Sequence, residues 1–311
     1  MKPIIRIGTR KSPLAMAQTI ETAEKLKAAW PVLAEDGAIE IVKIETSGDK
    51  ILDRHLLEAG GKGLFTREID DAMLNNDIDI GVNSMKDVPT QLPNGQILGC
   101  VLEREDVRDV FISPHASIPE KLPMNAKVGT ASLRRQALLK ALRPDVEITL
   151  LRGNVQTRLR KLEEGEADGT FLALAGLNRL GLSKSVRHTK MKLEDWLPAP
   201  AQGAIGITCR ADDKKILKYL APLHHAETAY ATQAERGFLQ GLDGSCRTPI
   251  AAYAQIKGEA LHLEGWLMKP NGTITLKKEA QGHISDAEQI GINLALSIKE
   301  LIGDLEYFLG N

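Results

Sequence analysis

The chain has 311 residues with 43% apolar and 26% charged content and a formal net charge of -1, the composition of a globular protein with room for two or three cores. So balanced a charge excludes a generally basic nucleic-acid coat, and any capacity to bind anions must be local. Three cysteines without paired spacing give neither a disulfide framework nor a tetrahedral zinc set, and no apolar run approaches membrane-spanning length.

The opening Met1-Lys2-Pro3-Ile4-Ile5-Arg6-Ile7 breaks into charge too early for an export signal, so a cytoplasmic protein is expected. Ile5 and Ile7 alternate as in a strand, Gly8-Thr9-Arg10-Lys11 makes a turn, and Ser12-Pro13 reads as a helix cap followed by proline at the first helical position. Met16, Ile20, Ala23, Leu26 and Trp30 would form one apolar helix face. The same grammar returns at 126–135, where Gly129-Thr130 matches Gly8-Thr9 and the helix face runs Leu133, Ala137, Leu138, Ala141, Leu142 until Pro144. Segments 74–82 and 162–171 both leave a helix through acidic and small residues and enter an apolar strand.

Two similar α/β domains on mostly parallel sheets account for these correspondences, with the strand-to-helix turns facing a shared cleft. The chain would cross between them near Glu103–Asp106 and again at Leu197–Gly203, forming a hinge. Domain 1 is then 1–102 with 203–222, and domain 2 is 103–202. Further on, a helix around Glu227–Leu239 precedes three strands, Ile250–Ile256, Leu261–Met268 and Thr273–Lys278, with a hairpin turn at Pro270-Asn271-Gly272. A last helix carrying Ile290, Leu294, Ile298 and Leu301 completes a small α+β domain with an antiparallel sheet, 223–311.

Basic residues fall where the turns are expected: Arg10, Lys11, Lys62, Lys86, Arg134, Arg135, Arg152 and Arg158. Any one of them could be a solvated surface ion pair; together they describe a rim for a polyanion. Neither a Walker loop nor a dinucleotide-binding glycine turn is present, and the adjacent His224-His225 point apart, so no metal site is expected. Asp87, in Asn83-Ser84-Met85-Lys86-Asp87-Val88-Pro89, is either a turn aspartate paired with Lys86 or a proton-transfer carboxylate among cations. Cys100 and Cys209 lie in apolar runs as small hydrophobes. Cys246, in Asp243-Gly244-Ser245-Cys246-Arg247, is either a turn cysteine or a nucleophile and covalent attachment point favoured by the neighbouring arginine.

Taken together, Gly8-Thr9-Arg10-Lys11-Ser12-Pro13-Leu14-Ala15, Gly60-Gly61-Lys62-Gly63-Leu64-Phe65, Ser84-Met85-Lys86-Asp87-Val88-Pro89, Gly129 to Gln136, Leu151-Arg152-Gly153-Asn154-Val155, Ala175 to Gly181 and the Cys246 loop resemble the porphobilinogen deaminase (hydroxymethylbilane synthase) family over essentially the whole chain. The resemblance implies two periplasmic-binding-protein-like α/β domains plus a third that carries a cysteine. It implies a cytoplasmic monomer that condenses four porphobilinogen molecules head to tail with loss of ammonia, then hydrolyses off hydroxymethylbilane in tetrapyrrole (haem) biosynthesis. A dipyrromethane primer would be joined by a thioether to Cys246 and held by Ser84, Lys86, Asp87, Thr130, Ser132, Arg134 and Arg135, with Asp87 catalytic. Arg10, Ser12, Lys62, Phe65, Arg152, Arg158, Arg179 and Gln202 would serve the substrate. No metal, nucleic acid or membrane enters this reading. The sequence departs from the family pattern at Asn83, where a histidine is expected, and has Ser245 where a second glycine is common. The competing reading is a non-catalytic binding protein for a small polycarboxylate.

Overall fold

The computed structural model describes residues 3–50, 63–244 and 248–310. They divide into two compact units: unit 1 is 3–50, 63–105 and 203–229, and unit 2 is the remainder. The chain passes from one to the other after Glu105, returns at Gly203 and leaves again after Ala229.

Unit 1 is a five-stranded sheet. Its elements in chain order are β1 (Ile5–Arg10), α1 (Pro13–Ala29), β2 (Ile39–Ile44), the single turn α2 (Ser47–Lys50), α3 (Arg67–Leu74), β3 (Ile80–Ser84) and β4 (Gln96–Val101). After the excursion into unit 2 come the last strand of this sheet and α7 (Lys214–Leu220). In unit 2 the second sheet holds β5 (Asp109–Ile112), β6 (Lys127–Gly129), α4 (Leu133–Leu142), β7 (Glu147–Thr149), α5 (Val155–Glu163), β8 (Gly169–Ala173), α6 (Leu174–Arg179) and β9 (Thr189–Lys190). The returning strand of unit 1 is β10 (Ile205–Arg210).

The two sheets have the same plan, β2-β1-β3-β10-β4 and β7-β6-β8-β5-β9. In each, the first three strands are parallel and the fourth runs antiparallel to its neighbours on both sides. The likeness reaches single residues: Gly8 is in register with Gly81, and Gly129 with Thr170, one step after Ile7↔Ile80 and Val128↔Gly169. At the start of the third strand, Asp79 accepts from the backbone N–H of Arg6 at 2.8 Å, and Asp168 accepts from that of Lys127 at 2.7 Å. Gly129 is needed because Leu151 lies against it, 2.7 Å from where a Cβ would stand, and a Cβ at Gly8 would meet the end of the Ile78 side chain.

Ile5 and Ile7 on β1, Ile80 and Val82 on β3, and Ile205, Ile207 and Cys209 on β10 pack with Ala23 and Leu26 of α1 and Ile216 and Leu220 of α7. Each large aliphatic side chain buried in this way contributes about 1.5–3 kcal/mol. The face that α1 buries is rotated from the one its apolar residues suggest: Gln18, Thr19 and Thr22 go in, and Ile20 is half exposed. Thr19 and Thr22 turn their hydroxyls back on the carbonyls of Ala15 and Gln18, which removes the penalty for burying them. On α4 the expected Ala141 and Leu142 are exposed, and Arg134 and Arg135 are buried in their place. Strand β1 also runs on through Arg10, where a turn was expected from Gly8.

The C-terminal part of unit 2 holds α8 (Ala226–Gly241) from Tyr230 onward, the antiparallel sheet β11 (Ile250–Lys257), β12 (Ala260–Met268) and β13 (Thr275–His283), then α9 (Ala287–Ile302) and α10 (Leu305–Leu309). Leu294, Ala295 and Ile298 of α9 pack with Leu261, Leu263 and Leu267 of β12, whereas Leu301 faces outward. Trp266 and Met268 point the other way and join Phe111, Phe171 and Trp196 in a core shared with the second sheet. The fold is therefore two similar α/β domains with a small antiparallel-sheet domain at the C-terminal end, as expected.

Candidate active site

In unit 1 the expected site residues gather at the carboxyl ends of β1 and β3. Arg10 ends β1, and its guanidinium lies over the Phe65 ring, 4.3 Å from the centroid. Ser12 caps α1 by accepting from the Ala15 N–H at 3.3 Å. Ser84 ends β3, and its hydroxyl exchanges hydrogen bonds with the buried Gln18 amide, at 2.9 Å from Nε2 and 3.1 Å to Oε1. A single turn of 3-10 helix, Met85–Asp87, follows; buried Met85 anchors it while Lys86 stays exposed and Asp87 is half-buried. Just before it, Asn83 is buried with its Nδ2 lacking a partner among the described residues. Lys62 lies outside the described residues.

In unit 2 some of the expected site residues gather around a carboxylate. Thr130 is buried and its hydroxyl accepts from the Ser132 N–H at 3.1 Å, and Ser132 in turn caps α4 by accepting from the Arg135 N–H. That turn drives Arg134 and Arg135 inward onto Asp109, the first residue of β5, which has no solvent exposure. Asp109 Oδ2 accepts from Arg134 Nη2 at 2.6 Å, Arg135 Nε at 3.1 Å and Trp196 Nε1 at 2.9 Å. Its Oδ1 accepts from Arg135 Nη2 at 2.7 Å and Gln202 Nε2 at 2.9 Å. Arg134 Nη1 and Arg135 Nη1 donate to the carbonyls of Leu197 and Phe171. Burial alone would push the Asp109 carboxyl up; the two guanidiniums outweigh it and hold it well below the usual carboxylate range. The centre has two positive charges and one negative. One donor, Arg134 Nε, has no partner among the described residues.

Elsewhere in unit 2, Arg152 is buried, Arg158 is half-buried and donates from Nε to the Gly153 carbonyl at 2.9 Å, and Arg179 closes α6. Gln202 is buried and donates from its amide to Val107 O at 2.8 Å and to Asp109 Oδ1 at 2.9 Å. Cys246 lies outside the described residues. Cys100 and Cys209 are buried, and burial pushes their thiols up to about 12 and about 11, which makes them poor nucleophiles. Among the described residues no cluster of histidine, cysteine and carboxylate groups could hold a metal, and no helix is long and apolar enough to cross a membrane.

Sequence reasoning missed Gln18, Asp109 and Trp196. Asp109 follows a charged run that reads as a crossing segment, and its arginines are far off in the chain; the one available signal was a pair of adjacent arginines on a helix with no acidic residue in its first turn.

Two family models cover the chain: the porphobilinogen deaminase dipyromethane cofactor binding domain matches residues 5–218, and the porphobilinogen deaminase C-terminal domain matches 229–300. The chain belongs to the porphobilinogen deaminase family. Relatives include the chloroplastic porphobilinogen deaminase of Oryza sativa, 54% identical over 90% of this chain and 78% of that one. The porphobilinogen deaminase of Paracoccus denitrificans is 49% identical over 95% of this chain and 93% of that one. Among solved structures, a periplasmic binding protein of Salmonella typhimurium is 12% identical over 74% of this chain and 94% of that one, with a TM-score of 0.41.

Proposed function

We infer that this chain condenses four porphobilinogen molecules head to tail onto a dipyrromethane primer, releasing one ammonia at each addition, and then releases linear hydroxymethylbilane by hydrolysis. The observation that carries this reading is the Asp109 centre. It sits inside the segment matched by the cofactor-binding model, with a net positive charge and a guanidinium N–H that has no partner among the described residues. A dipyrromethane, whose rings carry acetate and propionate carboxylates, fits that donor set, because a buried cation centre with a spare N–H calls for an anionic acceptor.

Roles are assigned to individual residues as follows. Cys246 carries the primer through a thioether, and Arg134, Arg135, Thr130, Ser132, Ser84 and Lys86 hold it. When bound, the primer would supply the free ring carbon to which the first unit is joined, and each later unit joins the ring added before it. Arg10, Ser12, Lys62, Phe65, Arg152, Arg158 and Arg179 bind the carboxylates and ring of the incoming substrate, and the Asp87 carboxyl gives a proton to the departing amine nitrogen. Once deprotonated, the Asp87 carboxylate faces the positive charge that develops on the pyrrole nitrogen and takes up the proton that the attacked ring carbon loses as the new carbon–carbon bond forms, ready for the next cycle. Gln202 acts at one remove, since its amide is used on Asp109. The protein is taken to be a cytoplasmic monomer without metal or nucleic-acid partners.

Intact mass before and after addition of porphobilinogen tests the assignment. The expected result is a chain heavier than its sequence by one dipyrromethane, with the adduct on the Cys246 peptide and further mass steps on adding substrate. A chain of bare sequence mass that binds porphobilinogen without condensing it would leave the polycarboxylate-binding reading in its place.

A further inference from the structure

The two sheets supply an internal control for the buried charges. Strand register aligns Asp109, opposite Ala173 on β8, with Ile205, opposite Ser84 on β3. Counting from the helix caps Ser12 and Ser132 aligns Arg134 and Arg135 with Leu14 and Ala15. One copy of the same scaffold thus fills these places with Ile205, Leu14 and Ala15, and the other with Asp109, Arg134 and Arg135. The fold does not require ions there, and buried ion pairs are weak contributors to stability compared with apolar packing.

We propose that Asp109 is the positioning residue of the primer site: it fixes the planes of both arginines and ties them to the segment 197–202. The inference rests on the reading that Arg134 and Arg135 receive the carboxylates of the dipyrromethane. Arg135 is gripped by Asp109 through Nε and Nη2 and by Phe171 O through Nη1, so its plane is set. Arg134 is gripped through Nη2 and Nη1 by Asp109 and Leu197 O, which leaves Nε as the one guanidinium nitrogen of the pair without a partner among the described residues. The carboxylate is also the shared acceptor for Trp196, stacked on Phe171 with ring centroids 4.4 Å apart, and for Gln202. An amide at position 109 can offer an oxygen to only one of the two donor groups; its NH2 must then face the other. Either arginine geometry or the hold on Gln202 is lost.

The test compares wild type, Asp109→Asn, Arg134→Leu and Trp196→Phe. Asp109→Asn should purify folded, by circular dichroism, with primer occupancy by intact mass reduced about tenfold or more. Trp196→Phe keeps every charge and removes one donor from Asp109. Its primed form should lose about fivefold in kcat while KM for porphobilinogen is unchanged, because the acceptor and not the incoming substrate is displaced. That split also decides the matter if Asp109→Asn fails to accumulate as folded protein. Full primer occupancy in folded Asp109→Asn, or unchanged kcat in Trp196→Phe, overturns the proposal while Arg134→Leu is unprimed. Full occupancy in Arg134→Leu overturns the underlying assignment of the arginines, and the proposal with it.

Discussion

The strand-turn-helix β1-α1 of the first sheet and its counterpart β6-α4 of the second share register, cap and glycine, yet they treat charge in opposite ways. At the first, Arg10 stays half-exposed on the face of Phe65, and the helix behind it buries amide and hydroxyl groups. At the second, two guanidiniums are taken out of water around one carboxylate. The contrast separates two tasks that a polycarboxylate chemistry needs. A fixed cation centre suits a ligand that stays bound through many cycles, whereas an accessible arginine suits one that comes and goes. Asp87, next to the exposed Lys86, belongs with the second kind.

Asp87→Asn should produce the largest effect. It is nearly isosteric, so thermal stability should hold while single-turnover addition of porphobilinogen slows by about 10²–10⁴-fold. Asp87→Glu keeps a carboxyl in displaced geometry and should retain more activity than the amide. Equal single-turnover rates for wild type and Asp87→Asn would break the assignment of chemistry to the first sheet.

Next comes Arg134→Leu, which gives the second site the residue type that the first carries at Leu14. It strips one partner from a buried ion centre, and denaturant unfolding should register a loss of about 3–5 kcal/mol together with failure to acquire the primer. Stability within error of wild type would mean that the two turns differ less than the structure implies. At the exposed turn, Arg10→Gln should behave in the opposite manner: KM for porphobilinogen rises about tenfold, with unfolding free energy within about 0.5 kcal/mol of wild type.

The smallest effect concerns Asp70 on α3, whose carboxyl burial pushes up to about 6. Because its pKa is higher folded than unfolded, its contribution to stability is fully present below about pH 4 and is lost as pH rises through about 6. Asp70→Asn should therefore gain about 1–2 kcal/mol at pH 7.5 and show a flatter stability profile between about pH 4 and 6.5. A gain that is the same at pH 4 and pH 7.5 would point to packing instead.

Much of this architecture is visible in residue order. Ser12-Pro13 and Ser132 do cap helices, the segments after Leu74 and Leu162 do lead into the third strand of their sheets, and β10 does return to the first sheet. What sequence patterning could not supply was which face goes inward. Periodicity weighs hydrophobicity, so it turned α1 toward Ile20 and α4 toward Leu142. Burial was instead decided by hydrogen bonding that local sequence does not show: Thr19 and Thr22 satisfy themselves on their own helix, Gln18 reaches Ser84, and Arg134 finds Asp109. The site was legible as a set of basic turns. The counter-ion shared by Arg134 and Arg135 was hidden because strand β5 is short and opens directly out of a charged run.

The bond from Gln202 Nε2 to the Val107 carbonyl joins residues 95 apart in the chain. In the first sheet β10 lies between β3 and β4, and among the described residues β4 has no other strand neighbour. A ribosome therefore delivers all five strands of the second sheet before it delivers the one that completes the first, and until then β4 waits as an unpaired edge. Once the second sheet forms, the grip of Val107 and Asp109 on Gln202 brings the outgoing chain back beside the incoming one. A closure over nearly a hundred residues becomes one over a few, a saving of about 2–3 kcal/mol in chain entropy for the late strand. The Gln202 amide thus shortens the loop that the late strand must close, a contribution to assembly as well as to the site.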